Sequence, residues 1–245
     1  TNTLTPINSI PPGAHTISTA LQDAAGNTGP ASTGLDIVIT PVAALDPSSD
    51  TGPLDDLITR DNTPSIQGFG TPGDTVTVTF PGGEVKSVQI TNPAGSWQVT
   101  PPTPLPEGVN AISVVATSPS GAVTSSNTLN LTGASVAPSA PSITAIPENA
   151  TGGAISASEV ADGTILQVSI PSDAKAGDTL TLNIGGALVL YIVQASDIGA
   201  VANVPVSVAT LASLSDGTVP VIATITDVAG NVSAPSPVSS LTLDR

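Results

Sequence analysis

The chain alternates short apolar runs with turn residues along most of its length. Positions 75–80 (TVTVTF) alternate polar and apolar residues, which is the period of a half-buried β-strand. The runs end at clusters rich in Gly, Pro, Asn and Asp, such as TPGD at 71–74 and NPAGS at 92–96. We predict strands at 42–45, 65–70, 75–80, 85–91, 97–100, 109–117 and 124–132. Short strands with this punctuation predict an immunoglobulin-sized β-sandwich.

The C-terminal half continues the pattern. Residues 172–198 predict a hairpin across Gly185 and Gly186, where both residues tolerate positive φ, and residues 200–209 predict a further strand. Helix signals are weak, and only 156–163 (SASEVADG) suggests a single helical turn. The fold class is therefore expected to be all-β.

Three segments repeat one pattern and suggest three serial domains. Residues 11–29, 106–124 and 215–233 each contain a turn glycine, an apolar strand (at 17–21, 112–116 and 221–225) and a second glycine. We expect the C-terminal part of an Ig-like domain at 1–40, an Ig-like domain at 41–133 and a longer one at 134–245. The linkers near Pro41 and at 134–138 are very short, which favours an end-to-end rod.

Charge and composition exclude several classes of partner. The chain has 19 acidic and 4 basic residues and a net charge of −15, so binding to nucleic acid or to an anionic membrane is not expected. The same charge should repel copies and keep the chain monomeric. No apolar stretch is long enough to insert into a membrane. Cysteine is absent, so a metal ion is the expected substitute for disulfides in an extracellular protein.

The main candidate site is the acidic segment 44–64, called here the acidic loop. Clustered carboxylates repel unless solvent, protons or a cation screens them. Hard oxygen ligands suit Ca²⁺, whereas transition metals would require His or Cys. The alternative is a solvated acidic loop without metal. The candidate ligands are Asp46, Asp50, Asp55, Asp56 and Asp61.

Weaker candidates lie elsewhere in the chain. Asp23 and Asp227 each begin a DxAGN motif, where an Asx-type turn is the alternative role. In the third domain Glu148, Glu159 and Asp162 could form a second site or serve only as helix-cap and turn residues. Asp74 and Asp178 are interpreted as ordinary turn residues before strands.

No catalytic set is evident. The chain lacks Cys and a GxSxG motif, and its one histidine, His15, lies on a strand and is expected to face solvent. Paired carboxylates for glycoside hydrolysis stay open in principle, but the acids cluster in turns. Trp97 is expected in the core. We therefore do not expect an enzyme.

Several motifs resemble a known family. TPSIQGFGTPGDTVTV (63–78), GSWQVTP (95–101), DAAGN (23–27), DVAGNVSAPS (227–236) and IPENATGGAISASEVADGT (146–164) are similar to tandem bacterial Ig-like repeats of giant type I-secreted, RTX-type adhesins. The middle domain departs from the pattern, because Ser118 and Ala122 replace the Asp and Asn of DxAGN.

The resemblance implies a calcium-stiffened stalk at the bacterial cell surface, outside the cell, that serves adhesion. Neighbouring repeats would be its partners, together with a host-cell glycan or receptor. The alternatives are a glycan- or receptor-binding Ig-like module and a spacer domain of a secreted hydrolase. Strand alternation places the acidic loop at the exit end of its domain and Asp227 at the entry end of the next. Calcium is therefore expected at this junction, although a site wholly within the acidic loop is the competing geometry.

Overall fold

The computed structural model describes residues 13–39, 43–148 and 153–245. The fold divides into two compact units. The first comprises Thr1–Asp50 and Leu54–Gly133, and the second comprises Thr51–Pro53 and Ala134–Arg245. The expected boundary at Pro41 lies outside the described residues, and the division into three domains stays a prediction.

The N-terminal part of the first unit is a two-stranded ribbon. Strands β1 (Gly13–Ile17) and β2 (Leu35–Ile39) pair antiparallel, with Gly13 opposite Ile39. The strand predicted at 17–21 is wrong, because β1 ends at Ile17 and Leu21 is 87% exposed. Residues 18–21 are all exposed to solvent in the described part of the chain, so their alternating pattern buries no face there.

The rest of the first unit is a sandwich of two sheets. One sheet has the order β3-β5-β8 and the other the order β4-β10-β9-β6-β7. The strands are β3 (Ala44–Leu45), β4 (Ile58–Thr59), β5 (Ile66–Phe69), β6 (Thr75–Thr79), β7 (Val85–Gln89), β8 (Ser96–Val99), β9 (Gly108–Thr117) and β10 (Val123–Gly133).

All seven predicted strands of this domain are present, most of them one or two residues shorter, and residue 42 lies outside the described residues. The inward side chains of β6 and β9, including Val76, Val78 and Ile112, are almost fully buried, as the two-residue period requires. Strand β4 was not predicted. It is only two residues long and pairs parallel to β10 at Thr132.

The second unit repeats this architecture at larger size. Its sheets have the orders β11-β13-β16 and β12-β18-β17-β14-β15. The strands are β11 (Ser142–Ala145), β12 (Ile155–Ser156), β13 (Thr164–Ser169), β14 (Thr179–Ile184), β15 (Ala187–Ile192), β16 (Val201–Val206), β17 (Gly217–Thr226) and β18 (Ser239–Asp244). An aliphatic core fills the space between them.

The hairpin and the helical turn of the second unit are confirmed. Gly185 and Gly186 connect β14 to β15 with φ of 57° and 99°. Helix α1 (Ala157–Val160) is one turn long. The strand predicted to reach residue 209 ends at Val206, where helix α2 (Val208–Ala212) follows. Ser207 begins that helix, because its Oγ accepts a hydrogen bond from Thr210 N at 3.1 Å. Within the described ranges, every helix is too short or too polar to span a bilayer.

Candidate functional site

The carboxylates of the acidic loop are held mainly by local donors. Asp46 Oδ1 accepts from Ser48 N at 2.8 Å, Asp56 Oδ1 from Ile58 N at 2.8 Å and Asp61 Oδ1 from Thr63 N at 3.0 Å. Each donor lies two residues after its acceptor, which is the Asx-turn pattern. The Ser48 side chain and backbone hold the pKa of Asp46 below its ordinary value. Much of the acidic loop is therefore stable turn structure in its own right.

Asp50 differs from the other acids of this loop. Its Oδ2 accepts from Asp55 N at 2.6 Å, but its Oδ1 is buried and accepts no hydrogen bond. Asp55 and Leu57 adopt positive φ of 66° and 60°. Positive φ in residues other than glycine costs about 1–2 kcal/mol each and recurs at ligand-binding loops.

Asp61 connects the acidic loop to the sandwich. Its Oδ2 accepts from the buried Ser49 Oγ at 2.8 Å, and Ser49 Oγ in turn accepts from Ser65 N at 3.0 Å. Asp61 therefore has a structural role whether or not a metal is bound.

The structure does not gather the five acids into one cluster. Across residues 13–39, 43–148 and 153–245, no group of three or more His, Cys, Asp or Glu side chains lies close enough to hold a metal ion by itself. Calcium takes six to eight oxygens, so carbonyl groups and water would have to complete any site built on these residues.

The DxAGN motifs form the Asx-type turn that was the alternative role for Asp23 and Asp227. Asp227 Oδ1 accepts from Asn231 N at 2.8 Å and its Oδ2 from Asn231 Nδ2 at 2.8 Å, with Gly230 at a φ of 85°. Asp23 makes the corresponding bonds to Asn27 at 2.8 Å, and these bonds lower the pKa of Asp23. In the middle domain the Ser118 hydroxyl replaces the carboxylate and accepts from Ala122 N at 3.2 Å.

Asp178 is the residue whose importance the sequence did not reveal. It is 1% exposed, its Oδ2 accepts from Lys175 N at 2.8 Å, and its Oδ1 is buried without a hydrogen-bond partner. Burial raises the pKa of Asp178 above its ordinary value, and the negative charge of Asp227 raises it further. The backbone N–H and the positive charge of Lys175, together with the nearby backbone N–H of Val228, oppose this rise in pKa without cancelling it. A buried, unpaired carboxylate oxygen beside a second carboxylate is costly, and the charge of Lys175 offsets that cost only in part, since the pKa of Asp178 stays raised.

The first unit provides an internal comparison for Asp178. Asp74 lies at the same position before β6 and is 3% exposed, but its Oδ2 accepts from Thr124 Oγ1 at 2.6 Å. No carboxylate corresponds to Asp227 there, because Ser118 occupies that place. The two sandwiches thus share a buried aspartate, and in the second the carboxylate of Asp227 acts on it as well as the positive charge of Lys175. The shared GDT sequence could have identified the position, but not the difference in its environment.

The acidic candidates of the second unit separate into different roles. Glu159 completes a capping box with Ser156, whose backbone N donates to Glu159 Oε2 at 2.7 Å and keeps the pKa of Glu159 low. Glu148 accepts a hydrogen bond from the buried Thr164 Oγ1, and Asp162 is exposed. Glu148 and Asp162 line a groove of about 590 Å³.

The aromatic side chains differ in exposure, and Phe69, at the end of β5, is the most exposed of the four at 37%. Trp97 is 6% exposed, as predicted for a core residue, and Tyr191 is half-buried with its hydroxyl donating to Asp197 Oδ2 at 2.8 Å. His15 lies in β1, and its side chain is outside the described part of the chain.

Residues 37–133 match the model of a sequence family described as the bacterial Ig-like domain. This stretch, which includes the sandwich of the first unit, therefore carries the family's sequence pattern. No curated protein sequence matches the chain.

Among solved structures, the chain is similar to bacterial adhesins and to fibronectin-type domains. One is a Ca²⁺-stabilised adhesin that helps an Antarctic bacterium bind ice, with 22% identity and a TM-score of 0.39 over 94% of this chain and 56% of that one. Another is a 1.5-MDa bacterial ice-binding adhesin, with 21% identity and a TM-score of 0.36 over 92% and 72%. The FN1–FN3 domains of chicken CNTN1 share 14% identity and a TM-score of 0.45 over 93% and 76%. The chain spans a little over half the length of the first of these.

Proposed function

We propose that this chain is a structural segment of a bacterial surface adhesin, a non-enzymatic stalk whose Ig-like sandwiches are stabilised by calcium. The bacterial Ig-like match of residues 37–133 and the repeated motifs support the structural role. The observation that carries the calcium part is Asp178, whose buried Oδ1 has no hydrogen-bond partner and whose neighbour Asp227 adds a second negative charge.

Calcium is the cation that fits this chemistry. Both groups are hard oxygen donors, and the chain has no Cys and a single His, so soft or imidazole-preferring metals have few ligands. Asp178 and Asp227 would supply carboxylate oxygens, while backbone carbonyls and water would complete the shell. A bound cation would neutralise the repulsion that burial imposes on this pair.

Asp50 is the second candidate ligand. Its buried Oδ1 also lacks a hydrogen-bond partner, and it lies in the strained part of the acidic loop. We propose that the acidic loop and the Asp227 turn together serve the connection between successive sandwiches. Rigidity of the stalk at the cell surface would then be the function of the site.

The direct test compares thermal unfolding in calcium and in chelator for the wild type, Asp178→Asn and the matched variant Asp74→Asn. A ligand that binds only the folded state adds about 2.7 kcal/mol at a hundredfold excess over Kd. Calcium should raise the Tm of the wild type and of Asp74→Asn, whereas Asp178→Asn should lose most of the gain. An equal Tm in calcium and in chelator for the wild type would exclude the calcium part of the proposal.

A glycan-binding module is the second candidate function, and among the four aromatic side chains the exposed Phe69 is the one that favours it. Sugar-binding sites commonly place an exposed aromatic ring against the sugar, but Trp97 is buried in the first unit and the Tyr191 hydroxyl is engaged by Asp197. If glycan binding survived substitution of both Phe69 and Tyr191, the glycan would have to bind a surface without an exposed aromatic ring.

A further inference from the structure

Strand β15 forms an unusually apolar sheet edge. It ends the order β12-β18-β17-β14-β15, and β14 is its only strand neighbour among the described residues. Its outward side chains, those of Leu188, Leu190 and Ile192, are 64%, 67% and 51% exposed. No charged residue lies between Asp178 and Asp197. Exposed edges of this kind are templates for pairing with another strand unless charge, proline or a bulge prevents it.

The equivalent edge of the first unit is protected. Strand β7 ends the sheet order β4-β10-β9-β6-β7 in the same way. Ser87 pairs with Thr77 on β6, as Leu190 pairs with Thr181 on β14, so Ser87 is the counterpart of Leu190. Lys86 adds a positive charge to that edge. The same architecture therefore carries one edge with polar protection and one without it.

We propose that β15 is a self-association edge, at which two copies of this chain pair antiparallel through β15 of each. The strand is self-complementary in one register. When Leu190 lies opposite Leu190 of the second copy, Leu188 lies opposite Ile192, and every exposed aliphatic side chain of the strand gains an aliphatic partner.

The backbone supports the same register. N–H and C=O groups of alternate residues face the same side of an antiparallel strand. The carbonyl oxygen of Ile192 accepts from the side-chain Nε2 of Gln194 at 2.8 Å, which places it on the free edge rather than in the ladder with β14. The backbone N–H and C=O groups of Leu190 and Leu188 then face the free edge too. The proposed register therefore places opposite each other the residues whose backbone hydrogen-bonding groups point outward.

The charge of the chain favours this strand as the meeting point. With a net charge of −15, two copies repel wherever acidic surfaces approach. The uncharged span around β15 avoids that cost locally. A six-residue edge buries less than the ~1,200 Å² that stable complexes require, so the dimer is weak in solution. Tethering at a surface raises local concentrations to about 1 mM and would make such an edge effective.

The test uses sedimentation of the full 245-residue chain over a concentration series reaching about 1 mM, the effective concentration of tethered neighbours. We expect a monomer–dimer equilibrium that shifts toward dimer as salt screens the negative charge. Leu190→Ser, which copies the protected edge, and Leu190→Lys should each raise the dissociation constant at least about tenfold, because each removes two facing apolar side chains. Ser87→Lys, on the other edge, should leave it unchanged.

A crosslinking arm tests the register, since the chain has no cysteine. Directly opposed residues of a hydrogen-bonded antiparallel pair have Cα atoms about 5.5 Å apart, within disulfide reach. Leu190→Cys should form a disulfide dimer under mild oxidation at least about tenfold faster than Ser87→Cys, in keeping with the high local concentration of paired thiols. Unchanged Tm values would show that the variants are folded.

Three outcomes would overturn the proposal. The first is a wild type that stays monomeric at every concentration and salt, as its charge alone predicts. The second is a dimer that Leu190→Lys does not weaken, which would place the contact elsewhere. The third is equal crosslinking of the two cysteine variants, which would indicate random collision rather than strand pairing.

Discussion

At the scale of single residues, the two sandwiches differ most at their buried aspartates. Asp74 and Asp178 directly precede the equivalent strands β6 and β14 and are both almost fully buried. A hydroxyl from Thr124 satisfies Asp74, whereas Asp178 keeps an unpaired oxygen beside Asp227. The same position is thus satisfied by a side-chain donor in the first unit and keeps an unsatisfied acceptor oxygen in the second.

Asp178→Asn should change stability in opposite directions with and without calcium. In chelator the substitution removes a buried charge that is repelled by Asp227, and we expect stabilisation on the order of 1 kcal/mol, the scale of an unsatisfied buried acceptor. With calcium the wild type should become the more stable protein, because the variant lacks a ligand. Calorimetry of both proteins under both conditions gives the comparison, and a variant less stable than the wild type in chelator would contradict it.

The pH dependence in chelator should follow from the raised pKa of Asp178. A carboxyl group whose folded-state pKa is raised holds its proton more tightly in the folded state. Its contribution to stability is fully present below the unfolded-state pKa and is lost as pH rises through the folded-state pKa. The wild type should therefore lose stability relative to Asp178→Asn over that interval, measured as the difference in Tm between the two proteins. If the difference in Tm between the two proteins stays constant across the acidic pH range, Asp178 does not titrate in this way.

At the scale of elements, the sequence predicted strands wherever the two-residue period was long enough to be visible. Residues 75–80 became β6 because both the alternation and the flanking turns were present. Strand β4, at Ile58–Thr59, was missed because two residues show no period and its pairing partner Thr132 is distant in sequence. The segment of helix α2 was predicted as strand because Val208 and Ala209 continue the apolar run past Val206. Ser207 caps the helix, but no further helix signal in the sequence opposed the strand prediction.

The candidate site was predictable only in part for a related reason. Acidic residue types were visible in the sequence, and the acidic loop and the DxAGN turns followed from them. Burial of Asp178 depends on how β14 packs within the second sandwich, and no local pattern distinguishes it from Asp74. The sequence therefore indicated carboxylates in turns, whereas the structure indicates which of them lacks a partner.

The contact between β5 and β8 gives an element-scale prediction. Gly68 lies opposite Trp97 in the sheet, and a Cβ at Gly68 would lie 2.5 Å from Trp97 Cζ2. Gly68→Ala should destabilise the first unit by about 1–3 kcal/mol through overpacking. Gly82→Asn is a suitable control, because the space around Gly82 is open and asparagine tolerates its φ of 87°.

Trp97 itself provides the measurement, since it is the chain's single tryptophan and lies in the first unit. Denaturant unfolding followed by tryptophan fluorescence should shift to lower midpoints for Gly68→Ala. Combining Gly68→Ala with Trp97→Leu, followed by circular dichroism, should recover part of the loss if the clash is its cause. Failure of the second change to recover stability would place the strain elsewhere in the sheet.

At the scale of the whole molecule, the proposed stalk requires that calcium restrict motion between the sandwiches. Two cysteines for spin labels can be added at exposed sites, Val109 in the first unit and Val201 in the second, because the chain has no native cysteine. Calcium should narrow the distribution of distances between the labels.

Asp227→Asn should abolish the narrowing if the ion serves the connection between domains, since the acidic loop alone would then be insufficient. If Asp227→Asn keeps the narrowing while Asp61→Asn removes it, the ion belongs to the acidic loop alone and the competing geometry is correct. A distribution in the parent chain that calcium leaves unchanged would remove stiffening from the function, even if calcium still raised the Tm.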